Sequence, residues 1–165
     1  MRRDNPNLEE GTYVLWLVPR PGQSWLRQYW AGKNSLETAT PIVVAGSGTV
    51  TEITAELVRG GEITGRILDA EGHPYARGSL AIQVEFADAF ARPVILVADE
   101  DYDPATGEYR ARGLHDGDLV VRAAPSSGGY VYYPGTTVRA EAEPVTIVDA
   151  GTRTGIDFTV AGAAR

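Results

Sequence analysis

Cysteine is absent from this 165-residue chain, and with it go disulfides, thiolate nucleophiles and thiolate metal sites. Lysine is almost absent too. Lys33 is the single example, and a formal charge of −7 with scattered arginines offers no clustered basic surface of the kind phosphate backbones require, so nucleic acid is not expected as a partner. Arg2 and Arg3 beside Met1 read as a tail and not as a binding arm. No stretch approaches the roughly 18 consecutive apolar residues of a membrane span, and no basic-then-apolar leader opens the chain. Membrane insertion is therefore not expected. Histidine is scarce as well: His73 and His115 both fall in predicted turns, with Asp116 the nearest further zinc ligand by sequence, and neither stands beside a serine in a nucleophile elbow. Acidic residues mostly adjoin glycines in turns, which gives paired-carboxylate hydrolysis little to build on. The chain reads as a non-enzyme.

What is present is a repeated pattern. Tyr29-Trp30-Ala31-Gly32, Pro41-Ile42-Val43-Val44-Ala45-Gly46 and Thr51-Glu52-Ile53-Thr54 recur 103 residues later as Tyr132-Tyr133-Pro134-Gly135, Pro144-Val145-Thr146-Ile147-Val148-Asp149-Ala150-Gly151 and Thr154-Gly155-Ile156-Asp157. The chain thus holds one complete unit, expected over 59–165, and the back half of another, expected over 1–58. β-Branched and aromatic residues fill the apolar runs, and Gly or Pro interrupts them at short intervals, the spacing of an all-β sandwich. In the first block, strands are predicted over 12–18, 41–44 and 50–57, with turns at 19–22 and 46–48 and a boundary at Arg59-Gly60-Gly61.

The second block opens on a strand over 62–69, in which Ile63, Gly65 and Ile67 face one way and Thr64, Arg66 and Leu68 the other. A turn at 69–72 follows, with Gly72 able to take positive φ. Further strands are predicted over 79–86, where Leu80, Ile82, Val84 and Phe86 share a face, then 93–98, a short one after Gly107, 119–123, 144–148 and 154–160.

The order Glu62-Ile63-Thr64-Gly65-Arg66-Ile67, Asp69-Ala70-Glu71-Gly72-His73-Pro74, Gly107-Glu108-Tyr109, Gly113-Leu114 and Gly117-Asp118-Leu119-Val120-Val121-Arg122 closely resembles the carboxypeptidase regulatory-like family. The resemblance implies an immunoglobulin-like or prealbumin-like seven-stranded Greek-key sandwich, related to the B repeats of bacterial collagen-binding surface proteins, plus a partial second repeat. It also implies a secreted or cell-surface setting and a structural, assembly or adhesive role. Relatives in the wider collagen-adhesin group join a Lys to an Asn or Asp through an isopeptide bond, a chemistry disfavoured here because the complete unit has no lysine. One departure is the insertion over 86–106, where the family joins two strands briefly.

That insertion carries Asp99, Asp101 and Asp103, whose spacing places oxygens on one side of a turning backbone as Ca²⁺ requires, although the EF-hand glycine and terminal glutamate are missing. Calcium is the only cofactor suggested, and a solvated acidic hairpin is the competing expectation. Trp25, Trp30, Tyr130 and Tyr133 lie in or beside loops, where flat rings stack on a sugar or anchor a protein; core packing is the alternative, above all for the repeated positions. Because a half unit exposes apolar surface and an unpaired edge, it is expected to be covered by the complete unit of the same chain, by exchange with a second copy or by an upstream segment, and the short linker over 56–61 favours intrachain contact or a homodimer; a protein partner or self-association through the half unit is the partner expected. A glycan bound by the aromatic residues, making the chain a carbohydrate-binding accessory module, is the alternative.

Overall fold

The computed structural model describes residues 8–45, 52–75, 80–87, 95–125 and 129–160. Among these, regular structure is strand, broken only by single 3₁₀ turns at Trp30–Gly32, Asp99–Asp101 and Arg139–Glu141. Contacts divide the chain into two compact units, Met1–Pro19 with Arg27–Val58 and Arg20–Leu26 with Arg59–Arg165.

In the first unit, β1 (Gly11–Tyr13) pairs antiparallel with β4 (Ile42–Val44), and β2 (Trp16–Leu17) pairs antiparallel with β3 (Gln28–Tyr29). The sequence predicted one strand over 12–18. Two short ladders form along that stretch instead, because β4 and β3 each reach only part of it; between them the Leu15 carbonyl accepts the Trp30 N–H at 2.9 Å. The strand predicted over 50–57 is corrected over its described part, since 52–58 joins no ladder; residues 50 and 51 lie outside the described residues. Its backbone is held by side chains: Gln28 Nε2 donates to the Glu56 carbonyl at 2.6 Å, Trp30 Nε1 to the Thr54 carbonyl at 2.9 Å, and the Val58 N–H donates to Gln28 Oε1 at 3.4 Å. Gln28 is buried, and its amide replaces two rungs that a neighbouring strand would supply. The turn predicted at 46–48 lies outside the described residues.

The second unit has two sheets. One joins β6 (Leu80–Phe86), β7 (Ile95–Leu96), β9 (Gly117–Pro125) and β10 (Val131–Tyr132) in the order β10-β9-β6-β7, with β11 (Val145–Ile147) also on β9; all these pairs are antiparallel. The other centres on β5 (Gly61–Leu68), which pairs antiparallel with β8 (Glu108–Leu114) and parallel with β12 (Thr152–Arg153) and β13 (Phe158–Thr159) in succession.

Alternation directs Ile63 and Ile67 of β5, Tyr109 and Ala111 of β8, Ile82 and Val84 of β6, and Leu119, Val121 and Ala123 of β9 into one core, closed by Val145, Ile147 and Phe158. The result is a sandwich-like all-β unit, with the predicted turn after β5 in place: the Asp69 carboxylate accepts the Glu71 and His73 N–H groups, and Gly72 has φ +82.

β12 and β13 are separated where the chain bows away from β5. There the Ile156 N–H donates to the Thr64 carbonyl at 3.1 Å, and the Asp157 carboxylate accepts the Arg66 N–H at 2.7 Å, a side chain again standing in for a rung. The close approach requires Gly65, because a Cβ there would fall on the Ile156 carbonyl. Replacing Gly65→Ala is expected to lower unfolding stability by ~1–3 kcal/mol through overpacking against backbone, read from the denaturant midpoint; an unchanged midpoint would show that the 154–157 segment does not sit against β5.

Candidate functional site: a strand with one open edge

The repeat seen in the sequence is also a repeat of geometry. Tyr13 faces Ile42 as Leu119 faces Val145, Gly11 faces Val44 as Gly117 faces Ile147, and Trp16 faces Tyr29 as Arg122 faces Tyr132. The turn that follows is shared as well: Tyr29 and Lys33 exchange two backbone hydrogen bonds, of 2.6 and 3.1 Å, and so do Tyr132 and Thr136, of 2.7 and 3.0 Å. The Trp30 N–H reaches Leu15 and the Tyr133 N–H reaches Val121, both at 2.9 Å. The stretch 11–17 is therefore the first unit's version of β9, and β3 and β4 are its versions of β10 and β11.

The two strands differ in what lies on the far edge. β9 carries β6 there, in register from Leu80 opposite Pro125 to Phe86 opposite Leu119. Along 11–17, no strand occupies that edge among the described residues. Backbone groups alternate in direction, and since Leu15 bonds toward β3 and β4 while Tyr29 spends both its groups on Lys33, the N–H and C=O of Thr12, Val14 and Trp16 point to the unoccupied side.

Exposure follows. Val120 is 3% exposed, whereas Val14, its counterpart, is 42% exposed, and Trp16 is 50% exposed with its ring stacked on Tyr29 at 6.2 Å. Val18 and Val43 are exposed too. In the second unit the loop after β10 is pinned to β6 by Arg139, whose guanidinium contacts Glu85 at 2.9 Å and donates to the Phe86 and Ala87 carbonyls. The repeat places exposed Leu36 at that position.

The site residues named from sequence are dispersed among several roles. Asp101 is buried and ion-paired to Arg112 at 2.8 Å; Arg112 also donates to the Gly22 carbonyl at 2.9 Å and lies 3.5 Å from Glu62, which in turn meets Arg110 at 3.3 Å. Asp99 opens the 3₁₀ turn that contains Asp101. Asp103 caps the following turn, accepting from the Ala105 N–H and the Thr106 hydroxyl. Asp101 and Asp103 both line a groove of about 620 Å³ with Arg66, Arg110, Tyr109 and Asp157. Its charges are largely paired, and among the described residues no group of three or more His, Asp or Glu is arranged to hold a metal ion. His73 lies 3.6 Å from Asp69, and His115 packs 6.1 Å from the Phe86 ring.

Of the aromatic residues, Tyr133 packs against the core edge-on to Phe158 at 6.5 Å, Trp30 is half-buried, and Trp25 and Tyr130 are exposed, Tyr130 beneath the Arg122 guanidinium at 4.1 Å. Sequence reading passed over Trp16 and Gln28. The available signal was the spacing Gly11-x-x-Val14 against Gly117-x-x-Val120, which sets the two strands in register.

Burial raises the Asp101 carboxyl above the ordinary aspartate range, and the Arg112 guanidinium opposes that rise. A folded value above the unfolded one means that the group's contribution to stability is complete below the usual aspartate pKa and declines as pH rises through the folded value. Carboxyl NMR titration is expected to place Asp101 above the ~3.9 of a free aspartate, and Arg112→Gln to move it higher still; a fall on removing Arg112 would contradict the pairing. No protein-family model matches this chain, and it matches no curated protein and no solved structure.

Proposed function

We propose that this chain is a non-enzymatic β-sandwich module of the carboxypeptidase regulatory-like kind, with an immunoglobulin-like or prealbumin-like fold, acting in assembly or adhesion as part of an exported or cell-surface bacterial protein. The observation that carries this reading is the half unit. Its central stretch repeats the pairing of β9 yet leaves Thr12, Val14 and Trp16 with backbone groups turned to an edge that no strand among the described residues fills, with an apolar face beside it. Folded proteins usually guard such edges with charge, proline or a covering element. Residues 11–18 contain no charge and no proline, which suits a surface made for pairing.

The polar groups offered by the sequence for chemistry support the same reading. Asp101 is neutralised by Arg112, Asp103 is spent on a turn, and the groove they line presents salt-bridged side chains. The rival reading, a carbohydrate-binding accessory module, draws on exposed Trp25 and Tyr130.

Light scattering from micromolar to millimolar protein, with and without millimolar Ca²⁺, tests the proposal. The expected result is a mass above that of one chain, rising with concentration and indifferent to calcium. A single-chain mass throughout overturns assembly and turns attention to glycans and Trp25, and a calcium-dependent mass would restore a cation role for Asp99, Asp101 and Asp103.

A further inference from the structure

We infer that the open edge of residues 11–17 pairs with the same edge of a second copy, antiparallel about a two-fold axis at Val14. The inference rests on the assembly reading above and specifies its partner and register. β6 shows what the position demands: an antiparallel strand whose alternate apolar residues, Ile82, Val84 and Phe86, lie opposite Ala123, Val121 and Leu119. The stretch 11–17 meets that description itself, since Tyr13, Leu15 and Leu17 alternate on the more buried face while Thr12, Val14 and Trp16 alternate on the exposed one.

Pairing about Val14 sets Tyr13 opposite Leu15 of the second copy and Val14 opposite Val14, with Thr12 opposite Trp16. The residues that then meet as hydrogen-bonded pairs are Thr12, Val14 and Trp16, the ones whose N–H and C=O groups face outward. A one-residue slip of a single strand would set outward-bonding residues against inward-bonding ones and lose the ladder.

Charge fits a self-pairing strand. The chain as a whole is −7, which opposes association of copies, but residues 11–18 carry no charged side chain, so two copies meet along an edge free of like-charge contacts. The exposed Trp16–Tyr29 stack and Val43 continue the apolar face beside that edge, and each copy's Trp16 ring comes to rest over the other's Thr12 side of the joined sheet.

The two-fold axis makes a charge-exchange test possible. Val14 is exposed on the solvent-facing side of the strand, so Val14→Lys and Val14→Glu should fold, which circular dichroism checks. Each variant alone sets like charges directly opposite, and cross-strand pair energies correspond to a dimer weaker by roughly 1.5- to 5-fold. An equimolar mixture should recover a heterodimer, seen as restored mass by light scattering. In the unaltered chain, the Val14 amide should exchange slowly at high concentration and faster on dilution, while the Leu15 amide changes little.

Dimerisation that ignores both substitutions, or a mixture that fails to recover, overturns this register while leaving assembly through another surface intact. A wild-type chain that stays single at every concentration overturns the inference together with the reading it rests on. Concentration-independent exchange at Val14 in a wild-type dimer overturns the edge contact even if the variants misfold.

Discussion

An interior strand must satisfy backbone hydrogen bonds along both edges, and β9 is the strand on which the second unit's larger sheet depends for this reason. β6 takes one edge over seven residue pairs, while β10 and β11 divide the other. With both edges filled, its core-facing side chains Leu119, Val121 and Ala123 are sealed between the sheets, and the loop after β10 can be clamped back onto β6 through Arg139 and Glu85. The copy of this strand in the first unit has the same neighbours on one edge and none described on the other. Its half-buried side chains, its exposed Val14 and Trp16 and the exposed Leu36 in the place of Arg139 accompany that one difference.

The first unit compensates in part through side-chain amides. Gln28, buried opposite Leu17, binds the backbone at Glu56 and Val58, and the Trp30 indole binds it at Thr54, so 52–58 is tethered without a ladder. The second unit uses the same device, where Asp157 takes the Arg66 N–H as the chain bows past Gly65. Side-chain substitution for a rung holds a segment in place but leaves no continuous edge for another strand to extend. The edge at Thr12, Val14 and Trp16 is different, because its groups are regularly spaced and all turned one way.

Much of the second unit was legible because its strands obey simple alternation. Ile63 and Ile67, then Ile82 and Val84, announce their buried faces by a period of two, and the Asp69 turn is written in its Asp and Gly. The repeat was legible from Tyr-aromatic and Pro-Ile/Val segments that proved to hold the same turn and the same edge strand. Less visible was anything decided by long-range pairing. Residues 52–58 have strand composition but lack a strand neighbour, and β9 extends beyond 119–123 because β6 continues to pair with it at Pro125. Asp101 looked like a member of an acidic cluster; only the arrival of Arg112 from β8 and of the Gly22 carbonyl reveals it as the buried half of a partly exposed ion pair. Trp16 was hidden because its counterpart is the charged Arg122, and residue identity is lost where the β6 neighbours of Arg122, Gln83 and Glu85, have no equivalent among the described residues.

If 11–17 repeats β9 with one edge left unfilled among the described residues, interproton contacts across the strands show it most directly. Antiparallel pairs without mutual hydrogen bonds bring their Hα protons together. Strong Hα–Hα contacts are predicted for Thr12 with Val43 and Trp16 with Tyr29, matching those of Asp118 with Thr146 and Arg122 with Tyr132. The complete set of four would establish the repeated pairing; contacts confined to the second unit, or shifted by a residue in the first, would contradict it.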